Sequence, residues 1–133
     1  MIFNYGNVPV VAIDFDDTIV EYDYPFIGNP KFYSIRALKE IKEAGWKIII
    51  WTCRTGKYID DIKNFFKKWD IKIDTINENV PEYQELGYKD SRKITADIYI
   101  DGRSLFHQDD WRLILKNLLL IYDKRVLKIK NPK

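Results

Sequence analysis

Three carboxylates and a hydroxyl fall within five residues of this chain: Asp14, Asp16, Asp17 and Thr18. Like charges at that spacing repel one another, and stripping them of water is costly. They are tolerated together where water, a metal ion or backbone N–H groups offset the charge. Directly before them stands a short apolar run, Val10 to Ile13, of a length that suits a buried strand. Apolar residues resume at Ile19 and Val20, which a solvated turn after an edge strand fits less well. The expectation is a strand that leaves the core and delivers Asp14, Asp16 and Asp17 to a cation site at its C-terminal end.

Other reactive groups stand where further strands would end. Ile48-Ile49-Ile50-Trp51 runs into Thr52, Cys53 and Arg54, and Ile98-Tyr99-Ile100 runs into Asp101 and Gly102. Lys89, Arg92 and Lys93 lie just before the second of these. This set suits phosphoryl chemistry. A carboxylate can attack phosphorus and form an aspartyl-phosphate, which splits hydrolysis into two easier steps. Carboxylate and phosphate repel each other, so a divalent cation must lie between them, and Mg²⁺ is satisfied by one or two carboxylates plus waters. A second acid must protonate the leaving oxygen and then deprotonate water. A hydroxyl and a lysine would hold the remaining phosphate oxygens as charge spreads over them.

Elements able to bring these groups together alternate along the chain. Strand signals fall at 10–13, 47–52, 71–76 and 98–100. A helix is expected from Ser34, as its cap, to about Ala44, where Gly45 stops it, with Ile35, Leu38 and Ile41 on one face. A second covers 57–69, with Ile59, Ile62, Phe65, Phe66 and Trp69 at helical spacing, and a third runs from Asp109 or Asp110 to Leu120. Residues 21–32, with two prolines and a glycine, read as a loop or small flap, and 77–93 as irregular. Strands joined by helices imply parallel pairing with right-handed crossovers. The expected fold is α/β: a three-layer, Rossmann-like parallel sheet with helices on both faces, a single domain over 1–133, and a ligand site beyond the carboxyl ends of the strands. The basic tail, 124–133, alternates apolar and charged residues at 126–130 and reads as an edge strand or a frayed end.

Composition narrows the class of partner. Apolar residues make up 46% of the 133, charged residues 32%, and the formal net charge is +2. That charge is too mild to imply nucleic acid or lipid as a general partner. The single cysteine, Cys53, rules out an internal disulfide. No apolar run approaches the roughly 18 residues that span a bilayer, and the first residues lack the pattern of a signal peptide, so a cytoplasmic location is expected.

The residues in order resemble a known family. Asp14-Phe-Asp16-Asp-Thr18 after an apolar strand is similar to the first motif of the haloacid dehalogenase (HAD) superfamily, Asp-x-Asp-x-Thr/Val. Ile48 to Thr52 is similar to the second, Lys93 to the third, and Ile98 to Asp101 to the fourth. The likeness covers about residues 8–120. Trp51-Thr-Cys-Arg-Thr-Gly-Lys57, Ile76-Asn-Glu-Asn79 and Tyr99-Ile-Asp-Gly-Arg103 further resemble small HAD-like hydrolases of uncertain substrate. The resemblance implies that Asp14 is the nucleophile and a Mg²⁺ ligand. Asp16 would be the general acid/base, with its backbone carbonyl on the metal. Thr52 and Lys93 (with Lys89 as the alternative) would bind the phosphoryl group, and Asp101 would complete the metal site. Many members carry glycine where Asp17 stands and a second acid where Gly102 stands. Asp97 is a poor substitute for that acid, because it precedes its strand and would lie at the wrong end of the sheet.

Other side chains have two readings. Arg54 is a substrate-binding cation or a surface arginine. Cys53 reads as a small buried residue, His107 as solvated, and the four tryptophans as packing. Tyr22, Tyr24 and Phe26 could stack on a ring such as a base, although packing explains them more simply. The short flap leaves no room for a cap domain, so the site is open. An open site suits an extended phosphate ester, a small molecule or a nucleic-acid end, or needs a partner subunit such as a second copy to close it. The leading expectation is a Mg²⁺-dependent phosphomonoesterase. The alternatives are a catalytically silent HAD-like phosphate-binding protein and a receiver-type phosphoacceptor module, whose phosphorylated Asp would end the third strand.

Overall fold

The computed structural model describes residues 8–87 and 92–130, without the side chains of 125–130. Four strands form one parallel sheet in the order β3-β2-β1-β4: β1 Val10–Ile13, β2 Lys47–Ile50, β3 Thr75–Ile76 and β4 Ile98–Ile100. Four helices connect or follow them: α1 Ser34–Glu43, α2 Lys57–Lys68, α3 Pro81–Glu85 and α4 Trp111–Lys130. From β1 the chain steps outward to β2 and β3, then returns past β1 to β4. Right-handed crossovers must therefore run over opposite faces before and after that reversal.

Burial follows this division. Val11, Ile13, Ile48 and Ile50 pack with Leu38 and Ile41 of α1, Phe65 and Phe66 of α2, and Trp111 and Leu115 of α4. The alternate residues, Val10, Ala12 and Ile49, pack against Val80, Tyr83, Ile94 and Ala96 around α3. Three helices thus cover one face, while a short helix and its flanking segments cover the other. Among the described residues, neither 14–33 nor 77–97 carries a second folded unit, and no helix is long and apolar enough to cross a membrane.

Register sets the level of the site. Ile13 pairs with Ile50 on one side and Ile100 on the other, and Ile50 pairs with Ile76. The strands therefore finish level, and the ladder continues one step further: Asp14 N–H donates to Ile100 O, Trp51 N–H to Ile13 O and Asn77 N–H to Ile50 O, each at 2.9 Å. Asp14, Trp51, Asn77 and Asp101 leave the sheet side by side. They do so where the strand order reverses, the crevice at which open α/β sheets bind ligands.

Four local expectations are corrected. Ser34 does not cap α1: the residue before the helix is Tyr33, in a left-handed conformation, and Ser34 Oγ instead donates to Ile19 O at 3.0 Å. β3 is shorter than 71–76, because the Asp74 carboxylate takes the Ile48 N–H at 2.7 Å and pairing starts only after it. The polar stretch after β3 contains α3, which opens with proline at its first position, where the missing N–H costs nothing. The tail is neither an edge strand nor a frayed end through residue 130: α4, whose Asp110 Oδ1 accepts the Arg112 N–H at 3.0 Å, continues without a break to Lys130. Residues 131–133 lie outside the described residues.

Ser34→Ala removes the hydroxyl tie between α1 and Ile19 O but leaves that carbonyl its bond from Lys31 N–H. The expected loss is about 1 kcal/mol of stability, read by urea denaturation.

Candidate active site

The acids that emerge from β1 do not share one environment. Asp14 is half-buried, and its Oδ2 accepts the Thr18 hydroxyl at 2.9 Å. Thr18 is fully buried and is held from two further sides: its Oγ1 accepts Gly102 N–H at 2.8 Å, and its carbonyl accepts Trp111 Nε1–H at 2.9 Å. The turn after β1, the exit of β4 and the start of α4 are thereby fastened around the Asp14 carboxylate. Burial pushes the Asp14 carboxyl up to about 6 against the Thr18 hydrogen bond, with the charges of Asp101 and Asp16 adding to the rise. Two carboxylates, Asp14 and Asp101, face one cleft of about 380 Å³, with Thr52 opposite on the exit of β2.

Asp16 and Asp17 are answered by cations. The Arg54 guanidinium grips Asp16 with both prongs, Nε to Oδ2 and Nη2 to Oδ1, at 2.7 Å each. The same group donates to Pro25 O at 3.0 Å and Phe26 O at 2.8 Å, between the rings of Phe15 and Tyr24. Only 2% of Arg54 is exposed. Its proton is held more firmly than usual, first through the hydrogen bond to Asp16. Asp17 sits in a left-handed turn, and its carboxylate faces Lys31 at 3.3 Å. The expectation of three acids at one cation site is therefore corrected: the Asp16 and Asp17 side chains are neutralised locally, and Asp14 with Asp101 forms the remaining pair.

Thr52 is set by Asn77, a residue whose part in the site no local sequence pattern signals. Asn77 accepts Thr52 N–H through Oδ1 and donates to Thr52 O through Nδ2, both at 2.9 Å. Thr52 Oγ1 accepts Arg54 N–H at 3.1 Å, which leaves the hydroxyl proton to donate into the cleft.

Lys93 does not line this cleft. Its ammonium lies 5.3 Å from the centre of the Tyr99 ring, and Tyr99 is tied by its hydroxyl to Ile94 O and Ala96 N–H on the α3 side of β4. The segment that carries Lys93 is folded against the middle of β4 rather than its exit. Lys89 lies outside the described residues. The cleft instead has Arg103 on its rim, one residue past Gly102, with its N–H on Asp101 Oδ1 at 2.9 Å. Its position just after an acid-ending strand was the available signal.

Several single-residue readings change. Arg54 is not a substrate-binding cation but a buried clamp, because Asp16 and two backbone carbonyls occupy its donors. Cys53 is exposed on the cleft rather than buried. His107 is not solvated: its side chain is 11% exposed and its Nε2 lies 3.8 Å from Asp109. Tyr22, Tyr24 and Phe26 are exposed and the first two line the cleft, with the Tyr24 ring also lying against Arg54 and Tyr58. Asp97 lies at the opposite end of the sheet, where it accepts Val10 N–H at 2.8 Å. Gly102 has a steric reason: a Cβ there would run into the Asp17 carbonyl oxygen and stand 3.0 Å from Thr18 Oγ1. No second acid can occupy that position beside this turn.

Among the described residues, no group of three or more His, Cys, Asp or Glu side chains is arranged to hold a metal ion. The fit to Mg²⁺ rests on less. Two carboxylates with no cationic side chain between them among the described residues, one of them pushed up by burial and by its neighbours' charge, are the hard-oxygen set that Mg²⁺ takes together with waters.

No family model matches the chain, and no curated protein matches it. A solved structure of a conserved protein from Bacteroides thetaiotaomicron is similar to it, with 28% sequence identity, a TM-score of 0.75, and coverage of 95% of this chain and 99% of the other. The likeness extends over both chains almost end to end.

Two measurements test this geometry. Gly102→Ala pushes the β4 exit off the Asp17 carbonyl and is expected to cost about 1–3 kcal/mol in chemical denaturation. The folded chain holds the Asp14 proton to about pH 6, whereas an unperturbed Asp releases it near 3.8. Ionised Asp14 therefore penalises the fold, none of it below about pH 4 and all of it above about pH 6. Asp14→Asn removes the penalty: at pH 8 it is expected to stabilise the metal-free protein by about 1–2 kcal/mol, discounted for partial exposure, and at pH 4 to leave it unchanged.

Proposed function

We propose that the protein is a Mg²⁺-dependent phosphohydrolase that works through an aspartyl-phosphate on Asp14. One observation carries the reading. Asp14, Asp101 and Thr52 share a single cleft at the point where the strand order reverses, and the Asp14 carboxylate is fixed there by Thr18 with no ion pair among the described residues. The resemblance of these positions to the HAD motifs supports the same assignment, and the cytoplasm is its proposed location. No insertion closes the cleft among the described residues, which favours an extended phosphate ester, a small molecule or a nucleic-acid end.

The chemistry assigned to each residue is as follows. An Asp14 oxygen attacks phosphorus, the bond to the leaving oxygen breaks, and Asp16, in the form that carries a proton, gives it to that oxygen. Asp16 then takes a proton from water, which attacks the acyl phosphate, releases inorganic phosphate and restores the Asp14 carboxylate. The Thr52 hydroxyl donates to a non-bridging phosphoryl oxygen, and Arg103 offers charge at the rim. Asp14 and Asp101 would hold the divalent cation, whose contribution is to offset the repulsion between carboxylate and phosphate. Lys93 would reach the phosphoryl group only after leaving the Tyr99 ring, so the phosphate contacts are assigned to Thr52 and Arg103 first.

A receiver-type module is less well supported. The residue after β3 is Asn77, which is engaged with Thr52. Asp74, the acid just before that strand, is paired with Lys42.

With Mg²⁺ present, the wild-type protein is expected to hydrolyse an aryl phosphate, and Asp14→Asn to reduce turnover to background. Exhaustive chelation is expected to abolish activity, Mg²⁺ to restore it and Ca²⁺ to restore it poorly, because Ca²⁺ prefers more ligands at longer distances. Turnover that survives Asp14→Asn or chelation overturns the assignment.

A further inference from the structure

Arg54 joins three segments that are distant in sequence. It leaves the chain two residues past Thr52, grips both oxygens of Asp16 beyond β1, and donates to the carbonyls of Pro25 and Phe26 in the loop 21–32. Four hydrogen bonds leave the guanidinium little freedom, and the Phe15 and Tyr24 rings close on it. A buried cation placed this way does more than neutralise one carboxylate. The prongs that orient Asp16 are part of the same rigid plane that seats residues 24–26, so neither contact can shift without turning the other. Asp61 and Tyr24 are the other groups whose charge acts on it.

We propose that Arg54 is a positioning residue that ties the orientation of the Asp16 carboxylate to the seating of the loop 21–32. The catalytic half of this inference rests on the phosphohydrolase reading, with Asp16 as the acid; the mechanical half does not. The loop's own amides report the mechanical half, because Glu21 N–H donates to Asn29 O at 2.7 Å and Lys31 N–H to Ile19 O at 2.9 Å.

The test uses Arg54→Lys, which keeps the charge but cannot hold two carboxylate oxygens and two carbonyls at once. Hydrogen exchange over residues 19–32 is compared for wild type, Arg54→Lys and Asp16→Asn, and hydrolysis is compared on an alkyl and an aryl phosphate. An alkyl leaving group needs the acid's proton and an aryl one largely does not. In the single-turnover release of the leaving alcohol, which precedes the step where Asp16 acts as base, Arg54→Lys is therefore expected to lose about 10²-fold on the alkyl ester with little change on the aryl ester. Both variants are expected to speed exchange in 19–32 while core strands stay protected. Equal losses on the two esters, or unchanged protection of 19–32 in both variants, overturn the proposal. Should Arg54→Lys fail to fold, exchange in Asp16→Asn decides. A wild type that hydrolyses neither ester sinks the phosphohydrolase reading, and faster exchange in the variants would still uphold the tie between Asp16 and the loop.

Discussion

Repulsion among carboxylates at the reversal point of the sheet is the constraint to which the rest of this end of the molecule answers. Asp14, Asp16, Asp17 and Asp101 all lie on the cleft where β1 and β4 finish level. Left together, they would oppose folding. Each is instead given a different partner: a hydroxyl for Asp14, a two-pronged guanidinium for Asp16, an ammonium for Asp17, and a backbone N–H for Asp101. Neutral donors offset less charge than cations do. The uneven compensation leaves residual negative potential on Asp14 and Asp101, the place proposed above for a divalent cation.

The surrounding architecture serves that partition. Thr18 is buried and held by the β4 exit and by the α4 tryptophan, so the position of one hydroxyl depends on elements more than 80 residues away. Gly102 lets the two exits approach closely by having no side chain. Asn77 fastens the ends of β2 and β3 together at Thr52. Arg54 then draws the loop 21–32 over the cleft from the β2 side. The face carrying α1, α2 and α4 holds the larger core. The α3 face is thinner and holds Lys93 against Tyr99.

Legibility in the sequence tracked the locality of the cause. β1, β2 and β4 were visible because four or fewer apolar residues in a row, ending in an acid or hydroxyl, already state burial and exit. α1 and α2 were visible through 3.6-residue spacing. β3 was drawn too long because Asp74 intrudes on the ladder by a side-chain bond to Ile48, which no period reveals. The tail was misread because alternation over five residues is weaker than the continuity of a helix already packed on α1. The strand-end acids and Thr52 line one cleft because their strands finish level, whereas Lys93, assigned by order along the chain alone, lies against Tyr99.

By itself the sequence determined which end of the sheet would carry the acids, since an apolar strand that stops at an acid can point that acid only outward at its end. It also determined the α/β class, because strands and helices alternate at crossover spacing. Tertiary structure alone decided which of the acids would take a cation as partner and which would not. That choice depends on distances between segments 14–18, 24–26, 31, 54 and 101–103. Those distances arise only when parallel strands finish in register and place separate exits within hydrogen-bonding reach of one another.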